Sequence, residues 1–116
     1  MVTDADVVVI FDKLVEQLKE AEGRINSREM KNKLNKGDEN KINNAVTEGR
    51  AITRDYAGFL NTEKNMKKTY QPVGETVNRM RKFINNHSPH VNKIFPKIGL
   101  AQVWLWLRAD MHVVDN

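Results

Sequence analysis

The sequence predicts an all-α fold, an antiparallel bundle of about four main helices with short additional helical turns, and three observations carry that reading. Apolar residues recur at steps of three and four along most of the chain. The interruptions, marked by Asn, Gly and Pro, are short and so favour antiparallel neighbours. The two β-prone runs, Val7 to Phe11 and Val103 to Leu107, do not read as a sheet: the first lies inside a longer helical series, and the second has no other strand to pair with.

The first helix is expected over about residues 4–24. Thr3 and Asp6 have the spacing of a capping box, and Val7, Phe11, Leu14, Leu18, Ala21 and Ile25 follow at alternating steps of four and three. A polar stretch rich in Asn and Lys comes next, with Met30 and Leu34 as apolar anchors, and Ser27 to Asn35 reads as one short helix that ends at a Gly37-Asp38 turn. Asp38 is the expected N-cap of a long second helix that places Ile42, Ala45, Val46, Gly49, Ile52, Tyr56, Phe59 and Leu60 toward a core, with no breaker before Pro72. Gly49 and Gly58 each cost about 1 kcal/mol relative to Ala inside a helix, so either one marks a close helix crossing or a kink.

A third helix follows Pro72, with Val73, Val77, Met80 and Ile84 on one stripe and Phe83 beside it, and is expected to end at Asn85-Asn86-His87. Ser88-Pro89 then has the form of an N-cap followed by proline, opening a short turn through Val91, Ile94 and Phe95 as far as Pro96. The last element, Ile98 to about Met111, is apolar almost all round, as in a helix packed centrally against the stripes of the other three.

With 116 residues the chain has room for one domain, taken as 1–116, built around one core. The absence of cysteine excludes disulfides, zinc–thiolate sites, iron–sulfur clusters and thiol catalysis. The apolar run near the N-terminus is shorter than the roughly 7–15 residues of a signal-peptide core, and the ten residues from Ile98 to Leu107 fall short of the roughly 20 that cross a bilayer. An intracellular protein without a transmembrane segment is expected.

No catalytic constellation, cofactor cradle or metal site is recognisable. Ser27, Ser88 and the threonines lie outside any nucleophile-elbow context, and the scattered glycines form neither a dinucleotide fingerprint nor a P-loop. His87 and His90 flank Pro89 and read as turn residues, with only His112 or distant carboxylates available to complete a metal site. Asp12, Glu16 and Glu20 read as the wetted side of helix one.

The net charge of +4 is unevenly distributed, at −3 over residues 1–25, +8 over 26–97 and −1 over 98–116. On a helical wheel, Arg50 and Arg54 fall with Asn43, Asn61 and Lys68 along one flank of the second helix, a pattern suited to phosphates because Arg forks onto their oxygens. Lys64 and Lys67 join Lys68 near the end of that helix, and the third helix adds Arg79, Arg81 and Lys82. These residues make nucleic-acid binding one expected function. The bland account of the same charges is a solvated face that pairs with the acids of helix one.

Trp104 and Trp106 flank Leu105, and residues two apart on a helix point about 200° from each other, so the two indoles cannot both face one core. A tryptophan left outside, beside Leu105 or Leu107, is an anchor for a protein partner or a wedge for a membrane interface. The leading expectation is a non-enzymatic protein-binding or assembly module that presents this face to a protein partner or to a second copy. Nucleic-acid binding through the basic stripe is the alternative, and a membrane-active bundle the third reading.

Overall fold

The computed structural model describes residues 3–27, 34–66 and 71–100, with residues 61–66 and 71–73 described by their backbone alone. Three helices form: α1 (Asp4–Ile25), α2 (Lys36–Met66) and α3 (Gln71–Ile94). All three pack on one another, and no strand occurs among the described residues.

α1 begins as its sequence predicts. Thr3 Oγ1 accepts from the Asp6 amide at 3.2 Å, and the Thr3 amide donates to Asp6 Oδ2 at 3.0 Å, so the capping box is complete. The bond from the Thr3 backbone amide is the largest of the effects that hold the Asp6 carboxyl below its usual range. The β-branched run Val7-Val8-Val9-Ile10 stays helical because Val7, Ile10, Phe11, Leu14, Val15, Leu18, Ala21 and Ile25 all bury on one face. Each buried side chain of this size gives about 1.5–3 kcal/mol, more than the few tenths that separate β-branched residues from the best helix formers.

α2 corrects the expected boundary. Asn35, rather than Asp38, occupies the cap: its side-chain oxygen accepts from the Asp38 amide at 2.8 Å, and its carbonyl accepts from the Glu39 amide at 3.2 Å. Asn and Asp cap about equally well. Asp38 therefore sits in the first turn with Glu39, where negative charge suits the helix dipole, and Gly37 lies inside the helix instead of in a turn. Most of the short helix expected over Ser27 to Asn35 lies outside the described residues.

α3 runs straight through the two expected interruptions. Asn85-Asn86-His87 does not end it, and Ser88-Pro89 does not start a new turn; Pro89 stands inside the helix. A proline there removes one backbone hydrogen bond at a cost of about 3 kcal/mol. Burial outweighs that cost, because Val91, Ile94, Phe95 and Ile98 continue the stripe of Val77, Met80 and Ile84 into the same core. The continuity is hard to see in sequence because His87 and Ser88 occupy the intervening inward positions.

The last turn closes at Gly99. The Leu100 amide donates to the Phe95 carbonyl at 3.0 Å and the Gly99 amide to the Pro96 carbonyl at 3.3 Å, with Gly99 at φ +79°. This is the Schellman arrangement, in which glycine takes the left-handed position that a side chain would strain. Phe95 and Leu100, the pair that makes the accompanying hydrophobic contact in this motif, are both buried. Ile98 and Leu100 thus belong to the cap of α3 rather than to the start of a fourth helix. Three helices, not about four, are present among the described residues, and the chain from 101 onward lies outside them.

Contacts between elements set the directions. Asp55, Glu48 and Asp38 on α2 meet Arg79, His87 and Lys97 in reverse order, so α2 and α3 are antiparallel. Asp4, Phe11 and Arg24 lie beside Arg81, Phe83 and Gly99 in the same order, so α1 and α3 are parallel. The central layer joins all three helices. Phe83 meets Phe11 edge-on at 5.3 Å between ring centroids, and the Gly49 backbone of α2 comes close enough that a Cβ there would lie 2.9 Å from Val15 and 3.2 Å from Phe83.

Candidate functional site

The side chains that carry function in the two leading sequence readings are basic residues on α2 and α3 and apolar residues after Leu100. Of the basic set, Arg50, Arg54, Arg79, Arg81 and Lys82 have described side chains. Lys64 lies in α2 with only its backbone described, and Lys67 and Lys68 lie outside the described residues. Trp104, Leu105, Trp106 and Leu107 also lie outside them.

The described arginines reach different neighbours. Arg50 donates across to Glu22 of α1 at 3.4 Å, and Arg81 donates to Asp4 at the start of α1 at 3.1 Å. Arg79 donates to Asp55 of α2 at 2.8 Å, and Arg54 approaches the same carboxylate at 4.0 Å. The Asp55 carboxyl is held below its ordinary range, first by the hydrogen bond from Arg79 and then by the charges of Arg79 and Arg54. Arg79 and Arg81, two residues apart on α3, point about 200° from each other, one over α2 and the other over α1. The positive groups that look continuous on a wheel are spread around the bundle, with carboxylates beside four of them. Exposed pairs of this kind add little to stability, so their effect here is chiefly on the surface potential.

The structure also shows a set of pairs that a one-helix wheel does not reveal. Along the α2–α3 seam, acids on α2 face bases on α3 and its C-terminal cap: Asp55 with Arg79, Glu48 with His87 and Asp38 with Lys97. Only an antiparallel alignment of the two helices brings these residues together, so the signal in sequence is the pairing of two segments. Between the last two pairs the acid-to-base pattern is interrupted, and His90 stands near Lys41 and Lys93.

His87 and His90 lie in α3 and not in a turn. The His87 ring stacks on Phe83 with centroids 4.7 Å apart, and its Nε2 is 2.9 Å from Glu48 Oε2. His90 has its pKa pushed below the ordinary 6.5, first by burial and then by the positive charges of Lys41, His87 and Lys93. A histidine whose proton is held less well in the folded chain than in the unfolded one contributes stability that is complete above about pH 6.5 and is lost as pH falls through its lower folded value. His90→Gln is therefore expected to flatten the rise in thermal midpoint as pH is raised toward about 6.5 from below. An unchanged slope in circular-dichroism melts of the variant counts against that assignment.

Asp12, Glu16 and Glu20 are exposed on α1. Among the described residues, no three His, Asp or Glu side chains converge as metal ligands, and no helix is long and apolar enough to cross a membrane. The outward surfaces of the helices are polar, with Asn40, Asn43, Thr47 and Arg54 on α2 and Asn78, Lys82, Asn85 and Lys93 on α3. Only Val9, at 52% exposure, and Leu60, at 43%, are large hydrophobics left open among the described residues.

No protein-family model, curated protein or solved structure matches the chain.

A function for this chain therefore has to be argued from its own surfaces. The described residues offer a charged surface in which most of the arginines already have carboxylate neighbours, and an apolar core drawn from α1, α2 and α3 together with Leu34, Phe95, Ile98 and Leu100. The apolar sequence after Leu100 lies outside the described residues.

Proposed function

We propose that the protein is a non-enzymatic assembly module: a helical bundle whose apolar C-terminal segment forms a fourth helix, with one side against the bundle and the other offered to a protein partner, foremost a second copy of the chain. One observation carries this reading. The three described helices bury their apolar stripes and leave polar outer faces, and the sequence then continues into an unbroken apolar run, Val103, Trp104, Leu105, Trp106 and Leu107. A helix that is apolar all round cannot hide every side on the surface of one three-helix bundle. The uncovered side, rich in Trp and Leu, has the composition of an interface centre.

Phosphate binding through Arg50, Arg54, Arg79, Arg81 and Lys82 has less support. A phosphate would have to displace Glu22, Asp55 and Asp4 from arginines they already contact.

Light scattering of the purified chain, followed across a dilution series, tests the assembly reading. A mass above 13.4 kDa that falls toward the monomer value on dilution, and falls at higher concentration in Trp104→Ala, is the expected result. A strictly monomeric chain that binds labelled DNA or RNA, and loses on the order of a hundredfold in affinity between about 50 and 200 mM salt, overturns it in favour of the basic surface.

A further inference from the structure

The seam between α1 and α3 carries two polar atoms that the bundle leaves without partners. Gln17 Oε1 and Asn92 Oδ1 are both buried and neither accepts a hydrogen bond. A buried acceptor left unpaired costs about 1–3 kcal/mol, so two at one place call for a donor. The alignment of the two helices places them at one level. Parallel α1 and α3 align Asp4 with Arg81, Phe11 with Phe83 and Arg24 with Gly99, offsets of 77, 72 and 75 residues, and Gln17 and Asn92 are 75 apart. Helical rotation puts Gln17 on the side of α1 that carries Arg24, and Asn92 on the side of α3 that carries Arg81, the two sides that face each other across this seam.

The chain itself passes the end of this seam. Gly99 stands beside Arg24, a Cβ there lying 3.6 Å from the guanidinium, and its left-handed conformation ends α3 and turns the chain. Gln17 is seven residues before Arg24, and Asn92 is seven before Gly99. A helix that doubles back from Gly99 along the seam has the same rise of about 1.5 Å per residue, so its seventh residue, Trp106, arrives at the level of both oxygens. Indole Nε1–H is a donor with no acceptor function, and the ring supplies apolar cover for the seam around it.

We infer that the α1–α3 seam is the docking site of the chain's own residues 101–116, with Trp106 turned inward to donate to the Gln17 and Asn92 oxygens and Trp104, about 200° away, turned outward. The inference rests on the assembly reading in that it assigns the two tryptophans different roles: Trp106 secures the fourth helix to its own bundle, and Trp104 is the anchor for the second copy.

Single-tryptophan forms of the full chain, Trp104→Phe and Trp106→Phe, separate the two roles by emission maximum and acrylamide quenching, read beside light scattering at each concentration. Trp106, observed in Trp104→Phe, is expected to emit at shorter wavelength and to quench several-fold less than Trp104, at every concentration including those at which the chain is monomeric. Trp104 is expected to become protected only as the mass rises. Equal quenching of the two in the monomer overturns the inference. A chain that stays monomeric while Trp106 alone is protected overturns the assembly reading and leaves the docking site in place.

A second measurement does not depend on the probes. Gln17→Leu and Asn92→Leu remove the acceptors while keeping the volume. The double variant is expected to lower the thermal midpoint and raise quenching of Trp106, because the indole N–H is then buried with neither acceptor, and each single variant is expected to do so to a smaller extent. Midpoints that rise or hold, with quenching unchanged, show that no donor reaches these oxygens and overturn the inference.

Discussion

Phe83→Ala is expected to cost about 3–5 kcal/mol, a large share of the roughly 5–15 kcal/mol by which a domain is ordinarily stable. Phe83 is fully buried where the three described helices meet. Its ring meets Phe11 of α1 edge-on, lies against the Gly49 backbone of α2, and supports the His87 ring one turn further along α3. Truncation there loses the transfer energy of the ring and opens a cavity bounded by three helices that cannot collapse toward one another without moving the remaining layers. Leu60→Ala is the matched control. Leu60 is 43% exposed, and its loss is expected to fall within about 0.5 kcal/mol. Urea unfolding followed by circular dichroism gives both values, and a Phe83→Ala midpoint close to that of Leu60→Ala shows that the central layer is not where the helices are held.

Gly49→Ala is expected to destabilise by about 1–2 kcal/mol, although alanine is the better helix former by about 1 kcal/mol. The added methyl would lie 2.9 Å from Val15 Cγ2 and 3.2 Å from the Phe83 ring. Neither neighbour yields easily, since Val15 is buried with a stiff β-branched side chain and Phe83 is packed on all sides. The helices must move apart, which loosens contacts along their length. Gly58→Ala, in the same helix with nothing within 4 Å of the added methyl, is expected to stabilise by up to about 1 kcal/mol. Val15→Ala should relieve part of the Gly49→Ala penalty, so the double variant is expected to lose less than the two single losses combined. Additive losses, or a Gly49→Ala midpoint that rises with that of Gly58→Ala, show that α1 and α2 do not cross closely at Gly49.

The contrast between these glycines shows how much was legible in the sequence. Both interrupt a helical pattern, and from sequence alone either one marks a close approach. Only the position of α1 decides that Gly49 is the crossing and that Gly58 faces open space. Asn35 and Asp38 differ in the same way. Both are good caps three residues apart, and the choice depends on where the backbone first turns inward to bury Ile42 and Ala45.

The candidate sites were legible to different extents. The basic residues were visible as a stripe, but a wheel drawn for one helix contains no information about the carboxylates of its neighbours. The proximity of Glu22 to Arg50, of Asp55 to Arg79 and of Asp4 to Arg81 is a product of packing. The acid-to-base ladder of the α2–α3 seam was invisible for the same reason. The unpaired oxygens of Gln17 and Asn92 could not be anticipated at all, because a polar residue on the flank of an apolar stripe reads as solvated until a parallel neighbour closes over it.

By itself the sequence determined the all-α class, the capping box and extent of α1, the apolar stripes of α2 and α3, and the absence of thiol chemistry. These follow from local periodicity, cap chemistry and composition, which act over a few residues. The tertiary structure decided the continuity of α3 through Pro89, the cap at Asn35, the crossing at Gly49, the partners of the arginines and the burial of the Gln17 and Asn92 oxygens. Each of these depends on burial or charge contributed by residues far away in the chain, and burial of several large side chains outweighs a local preference of about 1–3 kcal/mol.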